Sequence, residues 1–170
     1  MCNEKTEKRD LLIYELIAER FRLEWQRIND LDGKATSIVG FVGIIVSLHV
    51  GLGGFLLKEI PKTNEYCFYL YVIFLLGIVF LMCSILYALK AYYIKTWIVI
   101  PDTEILIEKY AKKDRSRIDI LRLVSQEISD AVKENKIKND DKSVSIKDSF
   151  RFLVFGIGMI IIFVCGFLLI

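Results

Sequence analysis

The chain has 170 residues, of which 54% are hydrophobic and 26% charged, with a formal net charge of +2. The charges lie almost wholly in two mixed-sign blocks, which excludes a partner drawn by bulk charge alone. Between the blocks, residues 35–57, 67–89 and 152–170 contain no Lys, Arg, Asp or Glu. As helices these runs are about 28–34 Å long, enough to cross a bilayer core.

The first block, residues 1–34, holds 7 Lys+Arg and 8 Asp+Glu. Such a charged stretch predicts that the first apolar run is an uncleaved anchor and not a signal peptide. Within the block, Tyr14, Ile17, Phe21, Ile28 and Leu31 recur at helical spacing, with Trp25 beside them. Glu15, Glu19, Arg20, Glu24 and Arg27 cover the other side, so residues 8–32 read as an amphipathic cytoplasmic helix. Asp32-Gly33 either breaks that helix before the first span or is carried through at a cost of about 1 kcal/mol for the glycine.

Residues 35–57 form the first predicted span and 67–89 the second, joined as an antiparallel hairpin by a short external loop with Pro61 and Asn64. Tyr66, Phe68, Tyr69 and Tyr71 mark one membrane edge, and Tyr87, Tyr92, Tyr93 and Trp97 the other. Residues 91–148 read as a cytoplasmic helical region. Its apolar start extends the second span until Pro101; a short helix follows, capped by Asp102 or Thr103 and running through Lys112. A further helix spans about 116–135, with Leu121, Val124, Ile128 and Ala131 as its buried stripe. Lys136–Lys142 is polar and reads as a bend, after which Ser143 or Ser145 starts a helix into the third span, residues 150–170.

The two blocks carry 21 of the 23 Lys and Arg residues, and the short loop carries two. The positive-inside rule therefore predicts a cytoplasmic N-terminus and an external C-terminus. Apolar stripes on water-facing helices would be an aggregation liability if left open. They predict a packed cytoplasmic bundle that buries Phe21, Trp25 and Ile28 against Ile94, Trp97, Leu121 or Ile128. The expected fold is an all-α integral membrane protein with three transmembrane helices and a cytoplasmic helical bundle.

His49 is the only histidine and is an ionisable group well inside a span. Two readings stand beside each other: packing or hydrogen bonding against a neighbouring helix, or a pore, gate or ion-sensing role, with Ser47 a second candidate for the pore or gate. Gly40, Gly43, Ser47, Gly51 and Gly54 make a small-residue stripe on the first span, the kind that lets helices approach closely in lipid. His49 is nine positions from Gly40, about 180° around the helix, so stripe and histidine face different neighbours. Gly77, Ser84, Ala88 and Ala91 make a weaker stripe on the second span, able to receive the first within one subunit or between two.

Lys109, Lys112, Lys113, Arg115, Arg117 and Arg122 form a basic cluster. Its readings are a solvated face, an anionic lipid patch, or a site for a nucleotide signal; nucleic acid is the weakest of these. Cys2, Cys67, Cys83 and Cys165 lack metal-ligand spacing and read as small packing residues. No pattern for a cofactor, a metal or a nucleophile–base pair is legible, so an enzyme is not expected.

Leu31-Asp32-Gly33-Lys34-Ala35 leads directly into the first span, and Asn135, Asn139 and Lys142 lie on the polar stretch before the last. A helix ending in Asp-x-Lys-Ala before a membrane hairpin resembles the small transmembrane effectors of prokaryotic antiviral systems, the SLATT-type and Pycsar group. The resemblance covers the first 90 residues in architecture and a handful of positions in motif. It implies oligomers that permeabilise or depolarise a prokaryotic cytoplasmic membrane on a signal. The chain departs from that group's two-span plan by adding a third span, and it carries no recognisable nucleotide-sensing domain. The expected function is thus a homo-oligomeric pore or membrane-perturbing defence effector in the lipid bilayer. The alternative is a non-conducting scaffold that recruits a soluble partner through its cytoplasmic helices.

Overall fold

The computed structural model describes residues 2–59, 66–93 and 116–169. Among them the elements are helices: α1 (Cys2–Glu59), α2 (Tyr66–Tyr93) and α3 (Arg117–Leu168). Each has a stretch long and apolar enough to cross a membrane, an architecture compatible with a membrane protein. The expected short helix through Lys112, the stop at Pro101 and most of the external loop lie outside the described residues, as do Ile94 and Trp97.

α1 takes the continuous alternative at Asp32-Gly33. The glycine keeps an ordinary helical φ. Thr36 Oγ1 and Ser37 Oγ donate back to the carbonyls of Asp32 and Gly33 at 3.0 and 2.9 Å, so their hydroxyls are satisfied on the helix itself. α3 begins behind a serine cap. Ser116 Oγ accepts from the Asp119 N–H at 3.2 Å and donates to its carboxylate at 2.7 Å.

The bend expected over 136–142 does not exist; α3 is helical throughout. That stretch is polar but holds no Gly or Pro, and three of its side chains, Asn139, Asp140 and Lys142, have partners on α1. Asn135, Asn139 and Lys142 are spaced four and three apart, so they share one helix face, and all three are buried. Asp140 on the outer side pairs with Arg27 at 2.7 Å.

The chain divides into two compact units: Met1–Asp30 with Lys95–Asp140, and Leu31–Ile94 with Asp141–Ile170. In the first, Ile28, Ile128 and Ala131 are buried, with Tyr14, Ile17, Phe21, Leu121 and Val124 half-buried. Trp25 is 43% exposed, against expectation. The seam along α1 steps from Phe21 to Glu24 to Ile28, and Trp25 lies one position to its side. Glu24 is held there by Asn139, whose Nδ2 donates to its carboxylate at 2.7 Å and to its backbone carbonyl at 3.2 Å.

Asp10 is also buried in this unit, between Arg122 at 2.8 Å and Arg9 at 3.1 Å. Burial alone would raise its carboxyl, but the hydrogen bonds and positive charge of Arg122 and Arg9 outweigh that and hold it below the usual carboxylate range. A depressed folded-state pKa adds stability above the unfolded value, near 4, and that stability is lost as pH falls through the folded value. Acidification below about pH 4 is therefore expected to loosen this unit, with a smaller acid-dependent loss in Asp10→Asn. Hydrogen exchange of residues 9–28 against pH checks it; equal acid sensitivity in both proteins would count against the pairing.

The second unit is inverted relative to a water-soluble core. Phe41, Ile44, Leu52, Phe55, Leu75, Leu86, Phe155 and Ile161 point outward, while Ser84, Ser149, Lys142 and His49 are buried. Within it, the parts of α1 and α3 run the same way, with α2 antiparallel to both. Val42, Leu81 and Leu153 form one apolar layer; Leu57, Leu70, Phe74 and Phe163 form another. Gly156 admits Leu81, whose side chain a Cβ there would meet at 2.7 Å. At one edge Tyr87 stacks on Phe152, with centroids 5.2 Å apart.

Candidate functional site

The buried polar groups of the second unit occur at three levels. At the first, Lys142 Nζ donates to Asp32 Oδ1 at 2.7 Å; the lysine side chain is 0% exposed and that of the aspartate 32%. An ammonium is tolerated there because an opposite charge is in contact and the carboxylate keeps some water. Asp32 and Lys142 belong to two segments that are 110 residues apart in sequence.

At the second level, Ser84 and Ser149 clasp each other. Ser84 Oγ donates to the Ser149 carbonyl at 2.8 Å, and Ser149 Oγ donates to the Ser84 carbonyl at 2.7 Å. Each hydroxyl thus meets the other helix's backbone, which requires small residues and a close approach. Ala88 and Ala91 continue this inward face of α2 and are buried with Ser84.

At the third, His49 Nε2 lies 3.2 Å from the Phe74 carbonyl, with its ring 4.6 Å from that of Phe74 and 5.9 Å, edge-on, from that of Phe163. Gly77 makes room for the imidazole, since a Cβ there would sit 3.1 Å from Nε2. The Val42–Leu81–Leu153 layer separates the serine clasp from this histidine.

His49 and Ser47 are not brought together. His49 is buried, whereas Ser47 is exposed and donates to the Gly43 carbonyl at 2.9 Å. The small stripe of α1 points away from the other described helices. Gly40 and Gly51 are exposed and Gly43 and Gly54 half-buried, and a Cβ added at any of the four would meet nothing within 4 Å. The stripe of α2 does not receive it within this chain, because Gly77 and Ser84 are taken up by His49 and Ser149.

Of the basic cluster, Lys109, Lys112, Lys113 and Arg115 lie outside the described residues. Arg117 pairs with Glu7 at 3.1 Å and Arg122 with Asp10 at 2.8 Å, so these two guanidiniums already face carboxylates. Reasoning from sequence missed the Asp32–Lys142 pair, the serine clasp and the Asp10–Arg122 pair. For the first two the signal was periodic: Asn135, Asn139, Lys142, Ser145 and Ser149 recur at three- and four-residue steps, a helix face hidden by its polarity. No known protein family, no curated protein and no solved structure matches this chain.

Proposed function

We propose that this chain is an integral membrane protein with three spans that assembles from several copies and opens or perturbs a prokaryotic cytoplasmic membrane, as a defence effector. The observation that carries the reading is the outward small-residue stripe of α1, which no other described residue covers. Close backbone approach between copies compensates for helix-unfavourable glycine in lipid. Two dry apolar layers, Val42–Leu81–Leu153 and Leu57–Leu70–Phe74–Phe163, close the interior of a single subunit. A conducting path therefore runs between copies and not through one. Asp32 and Lys142, two residues on which the likeness to transmembrane effectors rests, meet in one ion pair, which suits a shared structural role.

The stripe gives a selective variant. Gly51→Leu faces open space in the subunit, so it is expected to leave the helical fold intact and to break assembly. Size measurement in nanodiscs reads this, and ion flux from liposomes reads the activity. Wild-type protein that stays monomeric, or a Gly51→Leu variant with unchanged size, would overturn the oligomer. The orientation is N-terminus inside and C-terminus outside, supported by the distribution of Lys and Arg. A cysteine near residue 168 on a Cys-free background is expected to label only from outside; labelling only from the cytoplasm would reverse the topology.

A specific observation favours a second reading, the non-conducting scaffold. In the first unit Leu12, Leu16 and Leu23 are exposed on the side of α1 away from Asp10 and Ile28. A water-facing apolar strip of this kind suits a recruited partner. An oligomer that carries no current under any voltage would favour that reading.

A further inference from the structure

One buried polar group of the second unit has half of its hydrogen-bonding capacity unused. His49 is only 5% exposed, and its Nε2 faces the Phe74 carbonyl. A carbonyl only accepts, so Nε2 carries the proton; in the neutral ring Nδ1 is then an acceptor. Among the described residues no donor reaches Nδ1.

The same imidazole lines a groove of about 400 Å³ between α1 and α3. Its other walls are apolar, chiefly Ile45, Leu48, Leu52, Ile160 and Phe163. Leu48 and Leu52 stand at its outer rim, where both are exposed. Leu52 lies about 120–160° around α1 from Gly40, Ser47 and Gly54, whereas Leu48 lies about 60° from Gly51, so the rim of the groove adjoins one edge of the small-residue stripe. Concave, mainly apolar walls with one convergent polar group are the usual form of a small-molecule site.

The depth of His49 selects the ligand. The apolar run of α1 ends at Leu57, eight residues on, so the imidazole lies about 12 Å inside the hydrocarbon edge. A phospholipid headgroup does not reach that depth, and a charged ligand would be strongly disfavoured there. What fits is an apolar molecule dissolved in the bilayer whose single polar group donates a hydrogen bond.

We propose that the His49 groove is a binding site for a lipophilic phenol or alcohol, with the ligand O–H donated to His49 Nδ1 and its hydrocarbon body lying along Leu48, Leu52 and Ile160. This rests on the membrane reading above but not on assembly or conduction, so a non-conducting protein would leave it standing.

Because His49 is the only histidine, full-length protein labelled with ¹⁵N-histidine gives ring signals from this one residue. In nanodiscs the proposal expects Nε2 protonated and Nδ1 bare. Added 4-hexylphenol should shift the Nδ1 signal saturably and leave Nε2 nearly unmoved. Its methyl ether, equal in shape but with no donor, should bind about five- to tenfold more weakly, the worth of one hydrogen bond. Val164→Phe, which narrows the groove at its rim, should abolish the phenol shift; an unmoved Nε2 signal confirms that the His49–Phe74 contact survives. A proton on Nδ1, no phenol shift, an equal response to the ether, or a shift that persists in Val164→Phe would each overturn the site. Protein that fails to enter nanodiscs would instead overturn the membrane reading itself.

Discussion

Truncating Asp32 to alanine is expected to destabilise the second unit by about 3–5 kcal/mol, the usual cost of stranding one partner of a buried ion pair. The reason is the asymmetry of the pair. Lys142 is wholly buried and Asp32 a third exposed, so losing the carboxylate removes the 2.7 Å ion pair from an ammonium that water does not reach. Removing the lysine instead strands a carboxylate that already reaches water, and Lys142→Met should cost distinctly less. The double variant Asp32→Ala/Lys142→Met should recover much of the loss, since an apolar pair can replace an ionic one nearly neutrally. Unfolding in mixed detergent micelles gives all three values. Equal costs for the two single variants, or no recovery in the double, would show that the pair does not act as a unit.

Gly53→Leu should be nearly as damaging, and Gly51→Leu should not. The two glycines are two residues apart on α1, yet a Cβ at Gly53 collides with the Phe74 ring, while one at Gly51 meets nothing. Phe74 cannot retreat, because it packs against His49 and, with ring centroids 5.5 Å apart, against Phe163. Overpacking of this kind costs on the order of 1–3 kcal/mol or more. Phe74→Ala in the same chain should relieve part of it by making room. The measurement is thermal unfolding of the detergent-solubilised protein, compared with size in nanodiscs. Gly53→Leu should lower the melting temperature, and Gly51→Leu should change only the size.

The apolar runs made the three long helices legible, because length and absence of charge are properties of composition that no packing detail alters. Which side of a span faces inward was harder to read. On the membrane reading proposed above, lipid is as apolar as a protein core, so a leucine on a spanning helix has no reason to prefer the interior, and Leu48, Leu52 and Phe55 point out. Polar and small residues carry the facing information instead, and they carry it in pairs: Ser84 is informative only with Ser149, and Asp32 only with Lys142. Such partners are far apart in sequence. Lys136–Lys142 misled for a related reason, since a charged stretch reads as a loop until the partners of its inward side chains are known. Trp25 misled because apolarity suggested burial, whereas the seam takes Glu24 to meet Asn139. Depth and uniqueness marked out His49 in the sequence; its bond to the Phe74 carbonyl is visible only in three dimensions.

The serine clasp and the Asp32–Lys142 pair together limit how the second unit can move. Lys142 and Ser149 are seven residues apart, two pins about 10 Å from each other along α3. Sliding α3 by one turn, about 5.4 Å, would unmake both at once, breaking the buried serine clasp and the 2.7 Å Asp32–Lys142 pair together. Piston motion of α3 is therefore closed to this chain. In the assembly proposed above, rotation of whole copies against one another would keep both pins intact, and its gate would turn like an iris rather than slide like a plunger.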